Sequence, residues 1–402
     1  MDHTKSLTSL LLLIGLITIV STSCNRSKSE IKETKTMKIN WTKLSTEGLQ
    51  ENLSKGVSAS YAALLNGNLI VAGGANFPGK LGFEGGSKAF YNEVLIYEKS
   101  TAEWKVINNL PSAIAYGVSV PLSDGALWIG GNNDEKSFDT TYYVSITSKN
   151  VVVIKPFVRL PVTMDNFSGC SIGDMVFVAG GVENGKPSNS IYSINIKTDN
   201  EWTKLADFPG IPRVQPVLSS AEINGIIYVY LMGGFFGGDE NQKPAMATDI
   251  LKYDVSSEQW SVDGEQIDPE TKKPFSLGGA TAMTFENRYI ICLGGVNHDI
   301  FLDAITTQYN IAYDSELSVD EKRDKNLEFS KFYMTQPVEY YKFNTECRVY
   351  DTQTRECSVI DNTNDAAHAG ATLVFEGNQF YVVQGELKPG VRSAYTFKGE
   401  IK

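Results

Sequence analysis

A turn, a short β-rich run and then Gly-Gly or its variant recur six times along this chain, and that repeat constrains its fold more than any other feature. The copies are NGNLIVAGG ending at Gly74, DGALWIGG at Gly131, GDMVFVAGG at Gly181, NGIIYVYLMGG at Gly234, ENRYIICLGG at Gly295 and GNQFYVVQG at Gly385. Their ends lie 57, 50, 53, 61 and 90 residues apart. Each turn dipeptide is of a kind that closes a tight hairpin, and each apolar run has the length of a strand. One Gly-Gly means little, being common in loops. Five of them and one Gln-Gly variant, each behind the same hairpin, describe one supersecondary unit used six times.

Three units continue with an aromatic residue and, seven positions on, a Trp or its substitute: Tyr97 with Trp104, Tyr253 with Trp260, and Tyr350 with Cys357. Trp202 and Trp41 take the late position in two others, while the second unit has only the run VVVI near residue 151. Four strands per unit of roughly 50 residues, with paired glycines and a late Trp, predict an all-β fold, a six-bladed kelch-type β-propeller over residues 38–402. The last unit offers a third strand, SAYTFKGEIK, and no fourth; residues 38–44, KINWTKL, read as an outer strand with no inner strands before it. The N-terminal strand is therefore predicted to complete the last blade, closing the ring and removing an open sheet edge. The unit after Gly295 carries one long insertion. Within it Ser318 and Glu321 have the spacing of a capping box, and 319–334 has helical composition. Such an insertion is either decoration or a partial lid over a site.

The first 24 residues read as an export signal: a weakly basic start, an apolar stretch LTSLLLLIGLITIV, and small residues before Cys24. Cys24 sits as in a bacterial lipobox, although Ser21 stands where the strict form carries Leu; a plain secretory signal is the alternative. Residues 25–37 are polar and aperiodic, a flexible tether. The expected location is the periplasm, with any membrane attachment through lipid on Cys24. A net charge of −11 and a pI near 5.0 argue against nucleic acid as a partner. An anionic small molecule would need cations placed locally in its site. Cys170, Cys292, Cys347 and Cys357 are too widely spaced for a zinc pattern. Cys347 and Cys357 flank a turn, where a disulfide and two free core thiols are both open.

Propeller topology brings the loops after each Gly-Gly, and the connections into the next blade, to one rim. That rim collects Asn76 and Phe77, Asn132 and Asn133, Asn297 and His298, and Glu386 with Arg392; the connections add Tyr116, Asp165, Asn166, Arg213 and His368. Read by residue type alone, Glu386 with Arg392 is a surface ion pair as readily as a site, and Arg213 a bridge between blades. His298 and His368 are too few for a metal claim. The Gly-Gly pairs are architectural, allowing backbones to approach closely.

Four stretches change this reading: GGVNHDIF (294–301) with the insertion behind it, GELKPGVR (385–392), FPGIPR (208–213), and blade lead-ins such as RLPV. Together they resemble the N-acetylneuraminate mutarotases, also called sialic acid epimerases, across about residues 38–402, with the blade order circularly permuted. The resemblance implies a mutarotase that interconverts the α and β anomers of sialic acid. It implies Glu386 as the proton acceptor and Arg392 as the group that holds the substrate, and no cofactor or metal; the chemistry of such a sugar adds Arg213 as a second cation for its carboxylate and Asn76 and Asn297 as candidates for its N-acetyl or glycerol groups. His298 and Asp299 follow GGVN with no role that the resemblance assigns, which leaves substrate scope open. Among rival readings, a sialidase should show SxDxGxxW boxes, which are absent from the sequence, and a copper oxidase needs more histidine ligands. A non-enzymatic propeller that binds glycan or protein on the same rim is the remaining alternative.

Overall fold

Asn66-Gly67 and Asn224-Gly225 each close a two-residue hairpin with both residues at positive φ, 49° and 72° in the first, 54° and 80° in the second. That is the mirror-image turn whose twist suits two paired strands, and Asn-Gly is the dipeptide that tolerates it best. The computed structural model describes residues 37–402, and in it such hairpins build six four-stranded antiparallel sheets. The innermost strands, in order, are Tyr61–Leu65, Val118–Pro121, Ser168–Ile172, Val217–Ile223, Ala280–Phe285 and Thr372–Glu376. Each neighbours the next, and the sixth neighbours the first, so the sheets close into a ring around a central channel. The predicted six-bladed propeller is the observed architecture.

Closure is as the sequence predicts. Ile39–Lys43 pairs antiparallel with Thr396–Ile401, from Ile39 opposite Ile401 to Lys43 opposite Phe397, and forms the outer edge of the last blade. Met37, assigned to the tether, is instead buried with Ile39, Phe380 and Ile401 in the core between the fifth and sixth blades. The rest of the tether, the export signal and Cys24 lie outside the described residues. No helix among the described residues is long and apolar enough to cross a membrane.

The repeat's two signatures have physical causes. In the first five blades both glycines lie at positive φ, and a Cβ on the first would strike the segment leading into the next blade: at Gly294 it would stand 2.1 Å from the His368 carbonyl oxygen. In the first, second, third and fifth blades the second glycine's N–H donates to that same lead-in carbonyl, Gly295 to His368 at 2.8 Å. In the sixth blade Gln384 replaces the first glycine at φ 49°, and its Oε1 accepts from Val57 N–H at 2.9 Å. The seven-residue interval is a cross-strand pair: Tyr97 faces Trp104, Tyr253 faces Trp260 and Tyr350 faces Cys357. The Trp also latches its blade to the one before. Nε1 of Trp104 donates to Ser45 O (3.0 Å), of Trp202 to Val158 O (3.0 Å), of Trp260 to Ala206 O (2.8 Å), and of Trp41 to Asp361 Oδ2 (2.7 Å). Cys347 lies opposite Asp361, not opposite Cys357, and the four described cysteines are free thiols.

At the channel mouth the lead-ins form a closed circuit of backbone hydrogen bonds. Tyr116 N–H donates to Ala59 O, Asn166 to Tyr116, Gln215 to Asn166, Gly279 to Gln215, Gly370 to Gly279 and Ala59 to Gly370, at 2.8–3.1 Å. All six residues sit in the left-handed region, with φ from 51° to 70°.

The insertion is three helices. Asn297 caps α1 (His298–Tyr313), its Oδ1 accepting from Ile300 N–H at 3.1 Å. Ser318 and Glu321 make the predicted capping box at the start of α2 (Val319–Met334), and α3 (Val338–Tyr341) returns the chain to the fifth blade. On the way α1 packs on the fourth blade's loop through Phe301 against Phe235, centroids 4.9 Å apart. Helix α2 lies against the Gly82–Glu84 turn of the first blade and the Glu386–Arg392 loop of the sixth. The insertion thus contacts rim loops of the fourth, sixth and first blades, as a lid does.

Candidate active site

Pro389-Gly390 turns the chain between Glu386–Lys388 and Val391–Arg392, and in this small hairpin Glu386 and Arg392 are direct cross-strand partners. Six residues of separation across that turn set acid and base side by side. Glu386 Oε1 accepts from Arg392 Nη2 at 2.7 Å, with the Arg side chain 1% exposed and the Glu side chain 26%. Charge-assisted pairs of this kind are among the stronger hydrogen bonds in proteins.

The pair is anchored to the backbone circuit on both sides. Glu386 exchanges backbone hydrogen bonds with Ala369, the residue before Gly370 (2.7 and 3.0 Å). Arg392 Nε donates to Ser58 Oγ at 3.1 Å, and Ser58 precedes Ala59. The guanidinium carbon stands 5.6 Å from the Phe77 ring centroid, and Nη1 is buried without a protein partner. Burial raises the proton affinity of Glu386 above the ordinary carboxylate range, and the charges of Arg392 and Lys88 pull against that rise.

Lys88 comes from the loop after the first Gly-Gly. Its Nζ donates to the Tyr116 hydroxyl at 2.8 Å and lies 5.8 Å from the Phe77 ring centroid. Beside Tyr116 the floor continues as a fixed polar row: Gln215 Nε2 donates to Asn166 Oδ1 (2.9 Å), and Asn166 Nδ2 to Asp165 Oδ1 (2.7 Å). Tyr116, Asn166 and Gln215 line a cavity of about 130 Å³ at the channel mouth, bounded by all six blades. Glu386 and Arg392 stand just outside that lining, one residue removed from the circuit. From above, α2 brings Tyr333 within electrostatic reach of Glu386; burial first, then Tyr341, Tyr340 and Glu386, push its phenol well above the usual range. Lys388 holds the lid there, donating to the carbonyls of Met334 (3.2 Å) and Gln336 (2.6 Å) at the end of α2.

The other sequence candidates lie elsewhere. Asn76 is 2% exposed and fully engaged: Nδ2 donates to Asn52 O (2.9 Å) and Gly56 O (2.7 Å), and Oδ1 accepts from Tyr91 (2.7 Å). It braces the Phe77 loop and presents no free group to a ligand. Arg213 is 1% exposed, paired with Asp249 at 2.6 Å beside Phe208, away from the Glu386 hairpin. Asn297 spends its carbonyl on capping α1 and lines a separate flank cavity of about 790 Å³, which neither Glu386 nor Arg392 reaches. Lys88, Ser58 and Tyr333 were not singled out from the sequence. Listing the cations in loops after a Gly-Gly would have found Lys88; Ser58 and Tyr333 carry no local signal.

With the geometry in place, comparison with known proteins decides the relationship. The sequence profile of the N-acetylneuraminate epimerase family matches residues 18–153 and 157–402. The chain belongs to this family. Relatives include N-acetylneuraminate epimerase 1 of Escherichia coli O6:H1, 28% identical over 62% of this chain and 65% of its own length. The N-acetylneuraminate epimerase of Haemophilus influenzae strain PittEE is 30% identical over 60% of this chain and 58% of its own. The chain thus spans less than two thirds of the length of these relatives. A solved structure, described as the structure of YjhT, aligns at 24% identity with a TM-score of 0.48 over 60% of this chain and 63% of that one. The residues gathered in this chain are those of one polar rim: an acid, its arginine, a lysine and a phenol, with helix α2 against the Glu386–Arg392 loop.

Proposed function

We propose that this protein is a mutarotase that interconverts the α and β anomers of N-acetylneuraminate. The observation that carries the reading is the Glu386–Arg392 pair, a carboxylate of raised proton affinity set against a buried arginine on the lidded rim. Anomer exchange requires the proton of the anomeric hydroxyl to leave, the ring to open, and closure on the other face. Glu386 removes that proton and returns it, a task suited to a carboxylate whose proton affinity burial has raised. Arg392 has one buried terminal nitrogen without a protein partner. It supplies the charge-assisted hydrogen bond that the sugar's carboxylate needs in a protein of net charge −11. The names of the relatives support the substrate class.

The test is proton NMR of freshly released α-N-acetylneuraminate relaxing to the β anomer, alone, with the protein, and with Glu386→Gln. Acceleration by the protein that the variant lacks is the expected result. A folded wild type that binds the sugar without speeding exchange would instead assign the rim to glycan binding.

A further inference from the structure

We propose that Tyr116 is the second proton-transfer residue of this site, with Lys88 holding its phenol oxygen; the proposal rests on the mutarotase reading above. Ring opening moves two protons. One leaves the anomeric hydroxyl, and another must reach the ring oxygen as its bond to the anomeric carbon breaks. Glu386 accounts for the first only.

Three observations converge on Tyr116. It occupies one of the six circuit positions at φ 61°, whereas the other five hold Ala59, Asn166, Gln215, Gly279 and Gly370. Gly and Asn adopt the left-handed region most readily, and Ala59 and Gln215 show that the circuit imposes it on others; a bulky aromatic there is the strongest outlier of the six, and such outliers concentrate at functional sites. Its hydroxyl accepts a hydrogen bond from Lys88 Nζ at 2.8 Å, which leaves its own O–H to donate. The side chain lines the channel-mouth cavity, and Phe90 packs against the ring at 6.4 Å to fix its plane.

The lead-ins of three consecutive blades then present the three groups. The sixth blade's lead-in holds Glu386 through Ala369, the first holds Arg392 through Ser58, and the second supplies Tyr116 itself. Phe77 runs beneath Arg392 and Lys88 and ties the set together.

In the step, the Glu386 carboxylate takes the anomeric hydroxyl proton, and that O–H pair becomes the second bond of the ketone. The pair of the breaking ring C–O bond passes to the ring oxygen, which takes the Tyr116 proton. The phenolate left behind faces the Lys88 ammonium. Closure on the other carbonyl face reverses each transfer: the hydroxyl proton returns to Tyr116, and the former carbonyl oxygen takes the proton from Glu386. Nothing is consumed.

The experiment compares wild type, Glu386→Gln, Tyr116→Phe, Lys88→Met and Lys88→Arg, reading anomer exchange by NMR and N-acetylneuraminate affinity by calorimetry. Tyr116→Phe keeps the ring and its packing. It is expected to slow exchange by about 100-fold, within the range for losing a general acid, with affinity nearly unchanged. Lys88→Met should also slow exchange, and Lys88→Arg should restore part of the rate. Full-rate exchange by Tyr116→Phe overturns the proposal and leaves the mutarotase reading intact. So does a loss of affinity that accounts for the whole loss of rate, since Tyr116 then only holds the sugar. An inert wild type sinks the mutarotase reading and this proposal together.

Discussion

His368 is a buried group whose protonation should weigh on the acid stability of this fold. It is 3% exposed in the lead-in to the sixth blade, its Nδ1 has no partner, and burial depresses its pKa from 6.5 to about 4. A base whose folded pKa is depressed stabilises the fold fully above its unfolded pKa, and that contribution is lost as pH falls through the folded value. The protein should therefore lose up to about 3 kcal/mol from this residue between pH 6.5 and about 4. In His368→Phe that part of the slope should vanish, as read by urea unfolding across the same pH series. An unchanged slope would assign the acid limit to other groups. The residues also show what could be read in advance. Glu386 and Arg392 fall in one contiguous hairpin, which made their pairing legible, but residue type read it as a surface ion pair as readily as a site and only the family resemblance singled it out. Asn76 misled because a polar residue in a rim loop looks available, while its partners, the carbonyls of Asn52 and Gly56, come from a segment with no sequence mark. Lys88 and Tyr333 reach the site from loops and helices that break the repeat, so periodicity is silent about them.

At the scale of elements, the six hairpins and the late Trp were readable because each serves a local rule: turn chemistry, strand length, cross-strand pairing. Helix α2 was readable from Ser318 and Glu321. Helix α1 was not, because HDIFLDAITTQYNIAY mixes β-branched and aromatic residues and its cap, Asn297, looked like a ligand-binding side chain. One cation ties the end of α2 to the sixth blade's hairpin. Lys388 binds two free carbonyls at the C-terminal end of α2, where a positive charge also suits the helix dipole. In Lys388→Met the last turn of α2 should exchange its amide hydrogens about tenfold faster, the effect of losing a charged hydrogen bond worth about 1.5 kcal/mol. With the lid loosened, Glu386 regains hydration, so its raised proton affinity should fall back toward the ordinary carboxylate range, as followed by carboxyl carbon NMR. Unaltered exchange and titration together would show that the lid is held by its aromatic packing instead.

For the whole molecule, the ring is held shut by a strand from the opposite end of the chain. Lys38 and Lys402 exchange two backbone hydrogen bonds (3.1 and 2.9 Å), so the two chain positions already lie where a tight turn would join them. A permutant of residues 38–402 with Asn-Gly linking Lys402 to Lys38, reopened at the exposed turn between Lys149 and Asn150, should fold and melt no lower than its parent. Removing Ile39–Lys43 instead should abolish the cooperative transition, because it exposes the Thr396–Ile401 edge and uncovers Phe380. Equal melting of the two proteins would mean that the other five interfaces suffice. The backbone circuit at the channel mouth carries a further consequence. Its six N–H groups point head to tail around the axis and every one is spoken for, so the circuit itself keeps no amide of its own to greet an anion. Arg392 and Lys88, which flank the mouth, are side chains, and such groups can be exchanged without disturbing the wheel that carries them.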